Sequence, residues 1–251
     1  MIRLATLAAV ALVLPGAAAA QPGVGVQAKT GPALYAAYCL SCHGIAGSGI
    51  SSRSHPSGAL GLRGLGPPLR GVGALAADFY LSTGYMPLQS PYDEPLHTAS
   101  SFDRAQIAAL VAYVASFGHG PAIPKPHPER GSVSLGLALF TDHCAGCHQV
   151  AAEGGYVTNA VAPPLHKASP VQIAEAVRVG PYLMPSFPES QISNAQLDSI
   201  IAYVETMKHP DDRGGWSIGR IGPVPEGLVS WLIGTASLLG CCLVIGRRYA
   251  R

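Results

Sequence analysis

Two short stretches carry the residues best suited to chemistry: Cys39-Leu40-Ser41-Cys42-His43 and Cys144-Ala145-Gly146-Cys147-His148. Two thiols three positions apart, followed at once by an imidazole, have the spacing of covalent haem-c attachment. The thiols add across the two vinyl groups on one edge of the porphyrin. The next residue is then set to bind iron from the proximal side. Cys39, Cys42, Cys144 and Cys147 are therefore expected to hold two haem c groups, with His43 and His148 as axial iron ligands. Zinc would pair its ligand dyads much closer in sequence. A thioredoxin-like motif needs a βαβ setting that is not visible here, and disulfides would leave the histidine after each pair unexplained.

The distal ligand has two kinds of contender. Met86 and Met184 stand in matching Met-Pro contexts, and a thioether is a soft ligand that raises haem potential. His97 in the first half and His166 in the second are the rivals. His55, His119, His127, His143 and His209 read as solvated loop residues. With both axial positions filled, iron has no place for a substrate, so the expected chemistry is electron transfer without bond-making.

Chemistry repeated twice implies a scaffold repeated twice. The first half runs Leu34-Tyr35, Cys39 to His43, Pro67-Pro68-Leu69, Met86-Pro87 and Ala105-Gln106-Ile107 to Ala112-Tyr113-Val114. The second runs Leu139-Phe140, Cys144 to His148, Pro163-Pro164-Leu165, Met184-Pro185 and Ala195-Gln196-Leu197 to Ala202-Tyr203-Val204. Landmarks recurring in one order across loops of different length mean two copies of one domain. Leu34, Ala37 and Tyr38 predict a short helix leading into the first motif. Ile107, Leu110, Val111 and Val114 follow the spacing of an amphipathic helix, as do Leu197, Ile200, Ile201 and Val204. Met207 matches Phe117 and is expected in the core.

The expected organisation is a signal peptide or N-terminal membrane segment (1–20), a first domain (30–118), a Pro-rich linker (119–131) and a second domain (132–210). A juxtamembrane segment (211–227), a transmembrane helix (228–246) and a cytoplasmic tail (247–251) follow. Pro121, Pro124, Pro126 and Pro128 favour an extended, semi-rigid spacer. Arg3, an apolar stretch from Leu4 to Leu14 and a run of alanines suit a secretory signal. Leu228 to Gly246 carries no charge and ends on Arg247-Arg248, which fits a span with a cytoplasmic C-terminus and haem domains outside the cytoplasm. Cys241 and Cys242 inside it read as lipid-facing or packed thiols.

Charged residues make up only 12% of the 251, against roughly 25% in typical soluble chains. Setting aside Arg3, Arg247, Arg248 and Arg251 leaves 12 basic against 14 acidic residues, so a nucleic-acid surface is not expected.

With these landmarks in place, the chain resembles the dihaem cytochrome c subunit of the actinobacterial cytochrome bcc complex, a menaquinol–cytochrome c reductase. The resemblance is carried by Gly214-Gly215, Gly219-Arg220, Ile221-Gly222-Pro223 and Pro225-Glu226-Gly227-Leu228, running into Trp231-Leu232-Ile233-Gly234. Gln172 to Ala176 with Gly180-Pro181, and Gly71-Val72-Gly73 with Ser82-Thr83-Gly84, are similar too. It implies a mainly α fold of two tandem class I cytochrome c domains plus a C-terminal transmembrane helix. It further implies electron relay from a Rieske iron–sulfur protein to an aa3-type oxidase, with the span beside a cytochrome b subunit in membrane lipid. A membrane-anchored dihaem shuttle for another dehydrogenase or oxidase is the alternative. The chain departs from the family pattern at Tyr85, where an arginine is expected before Met86.

Overall fold

The computed structural model describes residues 30–50, 66–90, 93, 95–208 and 223–249. The expected signal segment, His55, His209 and the tail motif from Gly214 to Gly222 lie outside them.

Each cysteine motif sits where one helix breaks into a shorter one. In the first unit α1 (Gly31–Tyr38) stops at Cys39 and α2 (Leu40–His43) follows, succeeded by a 3-10 turn at Ile45–Gly47. Then come α3 (Gly73–Ser82) and α4 (Arg104–Ala115). The second unit repeats the beginning as α5 (Val133–His143), Cys144 and α6 (Ala145–His148). A two-stranded antiparallel hairpin, β1 (Gly155–Val157) and β2 (Ala160–Ala162), is an addition that the helical periodicity did not announce. Helices α7 (Pro170–Val179) and α8 (Asn194–Lys208) complete the unit. The fold is thus mainly α, built as two similar helical units in tandem with α9 (Pro223–Tyr249) beyond them.

The first and last helices of each unit cross closely because a glycine sits at the crossing. A Cβ on Gly31 would meet the Ala109 carbonyl and the Cβ of Tyr113; a Cβ on Gly136 would meet the Ser199 carbonyl and the Cβ of Tyr203. The two contacts are the same crossing made twice. Behind it lie two apolar cores. Leu34, Tyr35, Leu110, Val111 and Val114 fill the first, and Phe140, Leu197, Ile200, Ile201 and Val204 the second. Phe117 and Met207 pack at the edges of these cores, as the repeat predicted.

Helix starts are fixed by capping boxes, in which a side chain takes up a free backbone N–H and receives one in return. Asp103 and Gln106 do this for α4, Ser193 and Gln196 for α8, and Ser169 and Gln172 for α7. Replacing Ser169 by alanine is expected to cost about 1 kcal/mol, read as a lower unfolding midpoint.

Residues 119–127 have no regular structure but are held at both ends. The Leu75 N–H donates to the Pro121 carbonyl (3.1 Å), Ile123 packs on the first core, and the His127 N–H donates to Asp198 Oδ1 (2.7 Å). The two units also touch directly through α3 and α7, with Gln172 Nε2 3.4 Å from Ser82 Oγ. Helix α9 is long and apolar enough to cross a membrane over Gly227–Tyr249, with mean hydropathy 2.2 and exposed side chains. Cys241 and Cys242 are exposed on it.

Candidate functional site

In both units the break before the short helix lets its N–H groups turn back on the first cysteine: His43 N donates to Cys39 O (2.8 Å) and His148 N to Cys144 O (2.9 Å). Burial and the neighbouring thiol push the Cys39 and Cys144 pKa values up to about 11, so these thiols stay protonated at neutral pH.

The imidazoles are oriented by the proline loops. His43 Nδ1 lies 2.7 Å from the Pro67 carbonyl and His148 Nδ1 lies 3.0 Å from the Pro163 carbonyl. A carbonyl can only accept, so Nδ1 carries the proton and Nε2 is left with a free lone pair. Burial lowers both histidine pKa values, partly offset by these hydrogen bonds, and so keeps the rings neutral. A neutral, oriented imidazole with Nε2 free is the form that binds a metal.

The loop after each motif is pinned by a tyrosine hydroxyl, but from different helices. In the first unit Tyr35 of α1 donates to the Gly44 carbonyl (2.8 Å) and accepts from the Gly47 N–H. The second unit has Phe140 at the matching position, and Tyr203 of α8 donates instead to the Val150 carbonyl (2.7 Å). The repeat comparison did not reveal this exchange, although the Tyr35/Phe140 mismatch was its visible trace. The loops share their backbone path: Gly44 and Gly47 have positive φ, and so do Gln149 and Ala152 at the matching positions. Gln149, at φ 61° and ψ 160°, occupies a region that only glycine adopts without strain. Gln149→Gly is expected to stabilise the protein by ~1 kcal/mol, seen as a higher thermal midpoint.

The expected distal methionines lie on the same cores as their cysteines. Met86 and Cys39 pack on the first, Met184 and Cys144 on the second. Cys144, Cys147, His148 and Met184 all border one cavity of about 390 Å³, within the range of cofactor sites. Its walls are apolar: Phe140, Ile173, Val177, Leu165, Phe187 and Ile200.

The rival histidines are placed elsewhere. His166 Nε2 is 2.7 Å from the Ala151 carbonyl, which engages that ring in the loop. His97 packs edge-on against Tyr85 (6.1 Å between ring centroids) and borders the cavity of the second unit. His143, expected in a solvated loop, ends α5, packs on Phe187 (5.8 Å) and borders the same cavity. The helix continues to the cysteine, which brings that ring to the rim. The donor set of thiols, oriented imidazole and thioether around an apolar cavity fits a haem c.

Tandem helical units, each presenting Cys-x-x-Cys-His beside a methionine on its own core, define a c-type cytochrome. Residues 28–118 match the family described as cytochrome c, and residues 131–204 match cytochrome c oxidase, cbb3-type, subunit III. The cytochrome bc1 complex cytochrome c subunit of Mycobacterium tuberculosis is 36% identical over 256 residues, spanning 96% of this chain and 85% of that protein. Its namesakes in Mycobacterium leprae (34% identical; 96% and 83%) and Corynebacterium diphtheriae (32%; 92% and 84%) are similar over nearly the same length. The chain belongs to the family of cytochrome bc1 complex cytochrome c subunits.

Proposed function

We propose that this chain carries two haem c groups and relays electrons within a quinol–cytochrome c reductase, from a Rieske iron–sulfur protein to an aa3-type oxidase. The observation that carries the reading is the duplicated donor arrangement. In each unit a free cysteine and a methionine pack on one apolar core, beside an imidazole whose Nδ1 faces a proline carbonyl, and in the second unit both thiols, the imidazole and the methionine border one cavity. Bound haem iron supplies the one-electron chemistry by alternating between ferrous and ferric states.

The chain's own residues set the conditions. Cys39, Cys42, Cys144 and Cys147 would hold the haems covalently, and His43 and His148 would bind the iron. The carbonyls of Pro67 and Pro163 fix each ring's tautomer and make Nε2 more basic. Met86 and Met184 would supply the second iron ligands, and a thioether favours the reduced form. The apolar walls keep water away, so little solvent must rearrange when charge moves.

In this reading the domains span residues 30–118 and 132–210, joined by the linker 119–131. Helix α9 crosses the membrane beside a cytochrome b subunit, and Arg247 and Arg248 hold its end on the cytoplasmic side. Both haem domains then face away from the cytoplasm.

Purifying the chain from its native membrane in mild detergent tests the reading. Two c-type haems per chain, with b-type bands and a Rieske signal in the same fraction, are the expected result. Two c-type haems without either companion would replace the complex subunit with a free membrane-anchored shuttle. Fewer than two would remove the relay.

A further inference from the structure

The cavity of the second unit is not enclosed by the second unit alone. Phe79, Thr83, Tyr85 and His97, all from the first unit, border it alongside His148 and Met184. Phe79, Thr83 and Tyr85 are themselves nearly inaccessible to solvent. Phe79 and Tyr85 stack with ring centroids 5.7 Å apart and planes inclined by 25°. Tyr80 meets both rings edge-on, at 5.4 Å and 6.2 Å. The cluster is held on the end of α3, which is tied to the linker by Leu75 and touches α7 through Ser82.

Tyr85 and Met86 are consecutive, yet they face opposite ways. Met86 packs on the core of the first unit with Cys39, while Tyr85 borders the cavity of the second. One peptide unit is therefore the boundary between the two sites.

We infer that the second haem site is a composite of both domains, in which Tyr85 and Phe79 of the first domain form an aromatic wall over the haem of the second. The inference rests on the haem and ligand assignments proposed above and adds what closes the site. A flat porphyrin and an aromatic wall suit each other through offset or edge-on π contacts. A dry wall also has an electrostatic consequence. Water stabilises the more highly charged ferric form, so excluding it raises the potential, whereas wetting the site lowers it. Tyr85 and Phe79 are thus positioning and shielding residues for the second haem, supplied by its neighbour.

The test is a redox titration of the full chain in its native complex, following the c-type absorbance of wild type, Tyr85→Ala, Phe79→Leu and Tyr156→Ala. Tyr156 is 92% exposed on the hairpin and serves as the control. A Met184→His variant marks which midpoint belongs to the second haem, because histidine in place of thioether lowers it. Tyr85→Ala is expected to lower that marked midpoint. The electron-exchange constant between the haems should then change about tenfold, or about 59 mV for one electron. Phe79→Leu, which keeps most of the volume, shifts it less in the same direction, and Tyr156→Ala leaves both midpoints in place. If Met184→His moves one midpoint while Tyr85→Ala and Phe79→Leu leave that midpoint unchanged, the composite wall is overturned and the ligand assignment stands. If Met184→His moves neither midpoint, the ligand assignment fails and the inference goes with it.

Discussion

Serine at both Cys144 and Cys147 should remove one of two haem equivalents per chain and destabilise the second domain. The reason lies in what the cavity does for the core. Phe140, Ile173, Val177 and Ile200 belong to the apolar core and also border the cavity. The protein itself already closes these side chains off from solvent, so a domain without porphyrin would keep a cavity of about 390 Å³ unfilled beside them. An unfilled cavity in a core costs several kcal/mol through lost packing contacts. Net stabilities are only about 5–15 kcal/mol, so a domain of this size has little reserve. A haem assay should therefore show half the wild-type content, and proteolysis should begin within residues 131–208 while residues 30–118 survive. The matching pair of serines at Cys39 and Cys42 should reverse the pattern. Full haem content in either variant would remove those cysteines from the attachment site.

The second large effect is set by Glu175. This carboxyl is completely buried, and the Asp78 carboxyl is the side chain that shares a hydrogen bond with its protonated form. It lies on α7 where that helix meets α3, and Asp78 is the ionisable group that acts on it from across the contact between the units. Among the described residues no cation compensates. Arg178 on the same helix is directed to the Phe187 and Ile192 carbonyls and to Asn194. On α8, Asp198 accepts from the His127 N–H and Glu205 pairs with Lys208. Burial first, and the negative charge of Asp78 second, push the Glu175 pKa up to about 9.

An acid with a raised pKa in the folded state holds a proton there that the unfolded chain releases. Stability from this group is therefore highest at low pH, falls as pH rises from about 4.5, and levels off above about 9. Glu175→Gln cannot ionise and should lack this decline. At pH 8 the variant is expected to be more stable than wild type by several kcal/mol relative to their difference at pH 5, because the unfolded wild-type chain releases the proton that folded Glu175 retains. Asp78→Asn, which removes the neighbouring charge, should weaken the slope without abolishing it. Thermal unfolding from pH 5 to pH 9.5 checks both; parallel profiles for wild type and Glu175→Gln would show that the carboxyl is solvated.

The parts of the protein readable from sequence are those whose spacing is dictated by bond lengths. Two thioether bonds and an iron ligand would fix the spacing of Cys-x-x-Cys-His, and the helices beside it keep the three- and four-residue periodicity of α1, α4 and α8. Gly31 and Gly136 were not legible as crossing points, because a glycine in a helical pattern looks the same whether it is tolerated or required. The Tyr35-to-Tyr203 exchange was hidden because the hydrogen bond is kept while its donor moves to another helix. Glu175 appeared in the sequence only as part of the segment Gln172 to Ala176. Its burial follows from a second domain covering that face, which no local pattern records. His97 was assigned by sequence proximity to the first domain, yet its side chain borders the second cavity.

The crossings at Gly31 and Gly136 also bear on how the chain avoids mispairing. Because the two are copies, α1 has two helices of similar shape to choose from, α4 and α8. Emergence of the chain from its N-terminus decides between them. Roughly 80 residues separate the end of α4 from the start of α8, which at ~5–20 residues per second is several seconds of synthesis. The first crossing can close before its competitor exists. Order in time thus does what divergence in sequence would otherwise have to do, and a circularly permuted chain beginning at α5 would exchange the two helices' places in that queue.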